Sequence, residues 1–248
     1  MQNLEKEIQV PLDVFAGTSR EDTLETFIVS DCNRVAYNCI EGLLSSDFLK
    51  SWNFIYLYAS SGYGKTHLLK AIANKAHAMN VESVYLNLED WLDFDPFDFL
   101  TSVENYPIIC LDNVDIVAKN SDWETELFNL YNRWISKEKG IFITSASHAQ
   151  LDCGFAKQEF VTRLQSGITL SLKEPTLEFI EDVLIDRENV RGGLLPRNLA
   201  HEIAKKLKSL SECLKALDLI DNLSLEYKKG INRRIVNSIL SEFKVQTK

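Results

Sequence analysis

The chain has 248 residues, 45% of them hydrophobic and 25% charged, the balance of an ordinary globular protein. No apolar run approaches the roughly 20 residues that cross a bilayer, and the polar start Met1-Gln-Asn-Leu-Glu-Lys-Glu has no signal-peptide core, which points to a cytoplasmic protein with no membrane partner. A net charge of −9 argues against life on a nucleic-acid backbone, and five cysteines without C-x-x-C spacing argue against a metal cluster or a disulfide framework.

Residues 1–19 form a polar tail. Within it Val10, Leu12 and Val14 alternate around Pro11, which favours an extended, exposed segment rather than a central strand. Such a segment, opened by Gln9, either docks on a partner or packs on its own domain. After Thr26-Phe27-Ile28-Val29, the run Ser30-Asp-Cys-Asn33 caps an expected helix through Val35, Ala36, Cys39, Ile40 and Leu43, broken by Ser45-Ser-Asp47. Phe54–Tyr58 is β-prone and feeds Ala59-Ser-Ser61-Gly62-Tyr63-Gly64-Lys65-Thr66, which opens a helix carrying Leu68, Leu69, Ala71, Ile72 and Ala76.

That layout is a phosphate-binding P-loop. Its backbone N–H groups and the helix dipole face phosphate oxygens, Lys65 reaches the β/γ-phosphates and the Thr66 hydroxyl is a Mg²⁺ ligand. Ala59 stands where the full pattern has glycine, and alanine resists positive φ. Val84–Leu88 reads as a second strand, and Trp91–Leu100 as an acidic, aromatic turn with a short helix. Tyr106–Asp112 reads as a third strand, continuously apolar like a buried parallel one. Asp122–Ile135 is an amphipathic helix, Ile141–Ser145 a fourth strand and Ile168–Leu172 a fifth. Strands alternating with helices argue for an α/β fold with a parallel sheet over residues 20–173. Beyond Pro175 only helical patterns remain, at 176–189, 196–209, 211–227 and 231–244, so residues 174–248 form a small all-α domain. Its lysines and arginines, among them Lys205, Lys206, Lys228, Lys229 and Arg233, read as a solvated face.

The third strand ends as a Walker B strand should, with Asp112 emerging beside the Mg²⁺. Asn113 follows where an acid would polarise the attacking water, and an amide cannot accept a proton. Ser145, at the end of the fourth strand, can hydrogen-bond a γ-phosphate, whereas Ala146 cannot. The residues therefore describe a site that binds nucleotide and hydrolyses it weakly or not at all. Two other functions stay open: a self-sufficient ATPase, such as a helicase loader or remodelling adaptor, and a degenerate scaffold without nucleotide.

Leu57-Tyr58 with Gly62-Tyr63-Gly64-Lys65-Thr66-His-Leu-Leu resembles the P-loop of DnaA, the bacterial replication initiator and an AAA+ ATPase. Phe27–Ala36 is similar to the segment that borders the adenine in that family. Cys110–Asp115, Asp122–Arg133 and Leu217–Asp221 are similar to segments of the Hda group, short DnaA homologues that inactivate the initiator. The resemblance runs from Gln9 to residue 244.

It implies an AAA+ core with a helical lid, and ADP or ATP with Mg²⁺ held through Thr66 and Asp112. Nucleotide contacts fall on Phe27, Ile28, Val29, Ser61, Gly62, Tyr63, Gly64, Lys65, Thr66, Asp112, Asn113 and Ser145. Gln9, Val10, Leu12 and Val14 lie where the group carries its peptide for the DNA polymerase III β sliding clamp. Phe160-Val-Thr-Arg163-Leu-Gln-Ser-Gly resembles the box holding an arginine finger, which makes Arg163 a group donated in trans to ATP on DnaA. Ser211 falls where AAA+ lids present a sensor-2 arginine. The helicase-interaction and helix-turn-helix domains of the initiators are not matched, which implies no sequence-specific DNA binding; a homodimer stays open. The implied function is negative regulation of chromosomal replication initiation.

Overall fold

The computed structural model describes residues 22–44, 52–227 and 230–243, so Gln9, Val10, Leu12, Val14, Lys228 and Lys229 lie outside the described residues. The described residues fall into two compact units. The first takes 22–27, 34–44, 52–59 and 65–172; the second takes 28–33, 60–64, 173–227 and 230–243.

The first unit is built on five strands, β1 (Trp52–Tyr58), β2 (Ser83–Asn87), β3 (Ile108–Asp112), β4 (Gly140–Ala146) and β5 (Ile168–Ser171). All pair in parallel, in the order β2-β3-β4-β1-β5. Parallel neighbours need crossover connections, and here these carry helices. They are α1 (Arg34–Leu43) ahead of the sheet, then α2 (Lys65–Ala78), α3 (Pro96–Leu100), α4 (Ser121–Ile135) and α5 (Gln158–Leu164). Strands β3 and β4 are buried along their whole length, which is why they read as unbroken apolar runs. The third strand starts at Ile108 rather than Tyr106, because a single 3₁₀ turn at Val103–Asn105 leads into it and Pro107 has no N–H for a ladder. Its carbonyl still accepts from Ile141 N at 2.9 Å.

Helix α4 buries Trp123, Leu127, Leu130, Tyr131 and Trp134 at helical spacing. Phe54 and Phe142, opposite each other in the β1–β4 register, meet Tyr131 and Trp134 in edge-on and tilted ring contacts with centroids 5.1–6.5 Å apart. Asn120 caps the helix by accepting from Asp122 N and Trp123 N at 3.2 and 3.3 Å. One sequence expectation fails in α1: Ala36 and Ile40 are buried, but Val35 is 72% exposed. The buried stripe starts one residue later, and Asn33 closes the preceding turn by accepting from Ser30 N and donating to Ile28 O.

The second unit holds α6 (Leu177–Val190), α7 (Arg197–Leu207), α8 (Leu210–Glu226) and α9 (Arg233–Phe243). Leu184, Ile203, Leu217 and Val236 are fully buried at its centre. Thr176 caps α6 through Phe179 N, and Ser209 caps α8 through Glu212 N, each side-chain oxygen accepting from an N–H of the first turn.

Candidate nucleotide site

Strand β1 ends at Tyr58, and Ala59 continues it with its N–H on Ala146 O at 3.2 Å. The turn that follows needs left-handed backbone at Gly62 (φ 81°) and Gly64 (φ 98°), where glycine carries no Cβ penalty. Among the described residues, the non-glycine positions of positive φ are Asn80, Ser102, Asn113, Lys119, Glu138 and Lys208. Ala59 is not one of them. Alanine at the first position of the motif therefore sits without left-handed strain, and the missing glycine does not deform the loop.

Gly62 is also a point of close approach. A Cβ there would stand 2.8 Å from Ser211 Cβ and 2.9 Å from Ser211 N, at the first turn of α8. Ser211 thus meets Gly62 with a small side chain and its backbone. Ser61 and Thr66 are exposed, while Tyr63 is half-buried.

Lys65, the first residue of α2, is only 6% exposed, and its Nζ donates to Ala59 O at 2.6 Å. Burial lowers its pKa; the carboxylates of Asp112 and Asp115 act in the opposite direction. An ammonium held in a partly desolvated pocket beside two acids suits a polyanion such as a phosphate chain, which offers it charge-assisted hydrogen bonds.

Asp112 closes β3 and is fully buried. Ser145, next to it on β4 one step beyond the Leu111–Thr144 pair, donates its hydroxyl to Oδ1, and Tyr85 of β2 donates to Oδ2 at 2.9 Å. Ser145 Oγ in turn accepts from Asn113 N at 3.1 Å. Burial raises the Tyr85 hydroxyl pKa, and the neighbouring Asp112 charge adds to the rise, so Tyr85 stays a donor. Asn113 takes left-handed backbone (φ 59°, ψ 43°), which asparagine tolerates better than most residues. Its side-chain amide donates to Asn87 Oδ1 at 2.9 Å. Asp115 half-buries in the next turn and accepts from Ser147 N at 2.9 Å.

The sequence missed this cross-strand cluster. Tyr85 reads there as one more strand residue, and only the register, with Asn87 opposite Asp112, places its hydroxyl by the acid. Ser145, expected at a phosphate, has its hydroxyl on Asp112 and Asn113. Phe27 packs edge-on against His67 (5.1 Å) and stacks on Tyr37 (5.7 Å), while Ile28 and Val29 are half-buried. Arg163 lies near the end of α5, exposed, with its guanidinium 5.9 Å from the Phe128 ring centre and 5.8 Å from that of Tyr131.

A parallel sheet of this order, with a P-loop after β1 and a buried acid ending β3, defines an α/β core of the P-loop class. Residues 19–171 match the bacterial DnaA ATPase domain, and the chain belongs to that family. The chromosomal replication initiator DnaA of Buchnera aphidicola (Cinara cedri) is 27% identical over 98% of this chain, which spans 57% of that protein. The chain spans 37% and 43% of the DnaA proteins of Spiroplasma citri and of a second Buchnera aphidicola, so it corresponds to little more than half of an initiator or less. An uncharacterized protein of Haemophilus influenzae is 28% identical over 76% of this chain and 81% of its own length. Domain III of Thermotoga maritima DnaA superposes with a TM-score of 0.77 at 21% identity, covering 91% of this chain and 98% of that domain. AMPPCP-bound DnaA from Aquifex aeolicus gives 0.70 at 22% identity, covering 84% and 67%. Among the described residues no helix is long and apolar enough to cross a membrane.

Proposed function

We propose that this chain is a regulator of replication initiation of the Hda kind, which holds ADP or ATP on its own P-loop and lends Arg163 to ATP bound by DnaA. The observation that carries the reading is the state of Arg163. Its guanidinium is exposed and rests over two aromatic rings; among the described residues it makes no ion pair with a carboxylate. A cation presented in this way can be offered to an anion on another molecule. Beside a γ-phosphate it stabilises charge that develops in the transition state, an effect worth about 10³–10⁵ in rate for arginine fingers.

Nucleotide binding is supported by the desolvated Lys65, by the left-handed glycines of the loop, and by AMPPCP on a DnaA of the same fold. Thr66 and Asp112 are hard oxygen donors of the type Mg²⁺ accepts beside phosphates, so they fit the ion, which would neutralise phosphate charge there. Among the described residues no group of three His, Cys, Asp or Glu side chains could hold a metal, so the ion would arrive with the nucleotide. Weak turnover in the chain's own site is supported by Asn113, whose amide is no base and is committed to Asn87.

The sequence pattern at Gln9, Val10, Leu12 and Val14 supplies a tether to the β sliding clamp. Replacing Gln9 and Leu12 with alanine should abolish clamp binding, and undiminished binding would remove the tail from the mechanism. The central test is hydrolysis of DnaA-bound ATP with DNA-loaded clamp. Wild type should accelerate it while Arg163→Ala, still folded and clamp-bound, should not. Full acceleration by Arg163→Ala would sink the proposal.

A further inference from the structure

Helix α5 has seven residues, too few to be stable or directed on its own. Helix α4 is hydrogen-bonded to the chain at both ends of α5. We infer that one stripe of α4, formed by Glu124, Phe128 and Tyr131, is the frame that aims Arg163, with Glu124 and Tyr131 as positioning residues. This rests on the reading of Arg163 as the group donated to a partner's nucleotide.

The three positions are four and three residues apart, so they share one face of the helix. Glu124 is 1% exposed, a costly place for a carboxylate unless hydrogen bonds surround it. Its Oε1 accepts from Lys119 N at 2.7 Å and Ala156 N at 3.0 Å, and its Oε2 accepts from Lys157 N at 2.6 Å. Lys157 is the N-cap residue of α5 and supplies no side-chain cap itself. The carboxylate of α4 therefore clamps the backbone just where α5 begins.

At the other end, Tyr131 OH donates to Ser166 Oγ at 2.7 Å, and Ser166 donates to the Arg163 carbonyl at 2.7 Å. The backbone of Arg163 is thus tied to α4 through two hydroxyls. Between these ties its guanidinium lies near the faces of Phe128 and Tyr131, within cation–π range. An arginine on a bare helix end samples many rotamers. One held at its carbonyl and over two rings starts close to the direction in which it must act.

The test uses the full chain, ATP-loaded DnaA and loaded clamp, with Tyr131→Phe and Arg163→Ala alone and together. Tyr131→Phe removes one oxygen and leaves the ring, so folding is preserved. It should lower the maximal stimulated rate about 10-fold, as misplacement of a reacting group does, and leave the half-saturating concentration within about twofold. In the Arg163→Ala background it should have no further effect. A full rate from Tyr131→Phe beside an inactive Arg163→Ala overturns the frame and leaves the finger reading intact. A further loss in the double variant also overturns the frame, because Tyr131 would then act elsewhere. A full rate from Arg163→Ala overturns both. Glu124→Gln supplies an independent readout: amide exchange at Ala156 and Lys157 should quicken while the β3 and β4 amides stay protected, and unchanged exchange there removes Glu124 from the frame.

Discussion

Replacing Ser145 with alanine deletes one hydroxyl from the point where three strands meet. That hydroxyl donates to a fully buried carboxylate and accepts from the Asn113 amide. A hydrogen bond to a charged group contributes about 1.5–3 kcal/mol, and the half-buried Asn113 N–H left without its acceptor adds part of the about 1–3 kcal/mol that a buried donor would cost. Partial relaxation and entry of a water into the space return some of this, which leaves a loss of about 3 kcal/mol. For a chain of this length that lowers the melting temperature by roughly 6–12 °C. Urea unfolding of wild type, Ser145→Ala, Tyr85→Phe and the double variant measures it. The two hydroxyls serve the same carboxylate, so their effects should fail to add by about 0.5–3 kcal/mol. A loss below about 0.5 kcal/mol for Ser145→Ala, or strict additivity with Tyr85→Phe, would refute the cluster as described.

Glu188 of α6 is 2% exposed, and among the described residues its Oε2 finds no hydrogen-bond donor. Burial raises its pKa; Asp221 adds to the rise and Arg191 opposes it. A raised folded pKa means that the unfolded chain ionises first. The contribution is therefore complete below the unfolded value near 4.5 and is lost as pH climbs through the folded one. Glu188→Gln should raise stability by about 1 kcal/mol at pH 8 and give no gain at pH 4, and a melting temperature that follows wild type at every pH would count against this. Lys65→Met removes the buried ammonium along with its bond to Ala59. The nucleotide-free melting temperature should stay within about 3 °C of wild type, while the stabilisation that ADP or ATP confers, about 2.7 kcal/mol at a hundredfold excess over Kd, should vanish. A ligand shift that survives in Lys65→Met would place the nucleotide elsewhere.

Much of the core was legible because its signals are local and long. Ile108–Leu111 and Ile141–Ile143 are apolar runs that only buried parallel strands explain, and Trp123 to Trp134 keep helical spacing over three turns. Elements that escaped are short or depend on partners. Helix α5 and the 3₁₀ turns at Leu88–Trp91, Val114–Val117 and Gln150–Asp152 are too brief for a period to show. Glu124 looks like a solvent-facing acid in an amphipathic helix until residues 156 and 157 fold back onto it. The clasp of Tyr85 and Ser145 on Asp112 joins three strands, and no window along the chain contains all three. Ala59 was a real ambiguity in the motif, since the letter alone does not give φ; the backbone resolves it.

The strand order has a consequence for how the chain comes off the ribosome. Strand β1 precedes the P-loop, yet its two neighbours are β4 and β5, at Gly140–Ala146 and Ile168–Ser171. Until those segments emerge, β1 is a bare apolar ribbon with both edges open, a species prone to pair with another chain. Contacts of such sequence separation also close slowly. The nascent chain should therefore need chaperone protection through most of its synthesis, and its nucleotide loop should acquire its shape only near the end. Stalled nascent chains ending before residue 140 should be protease-sensitive at β1, and those that expose residue 171 should not.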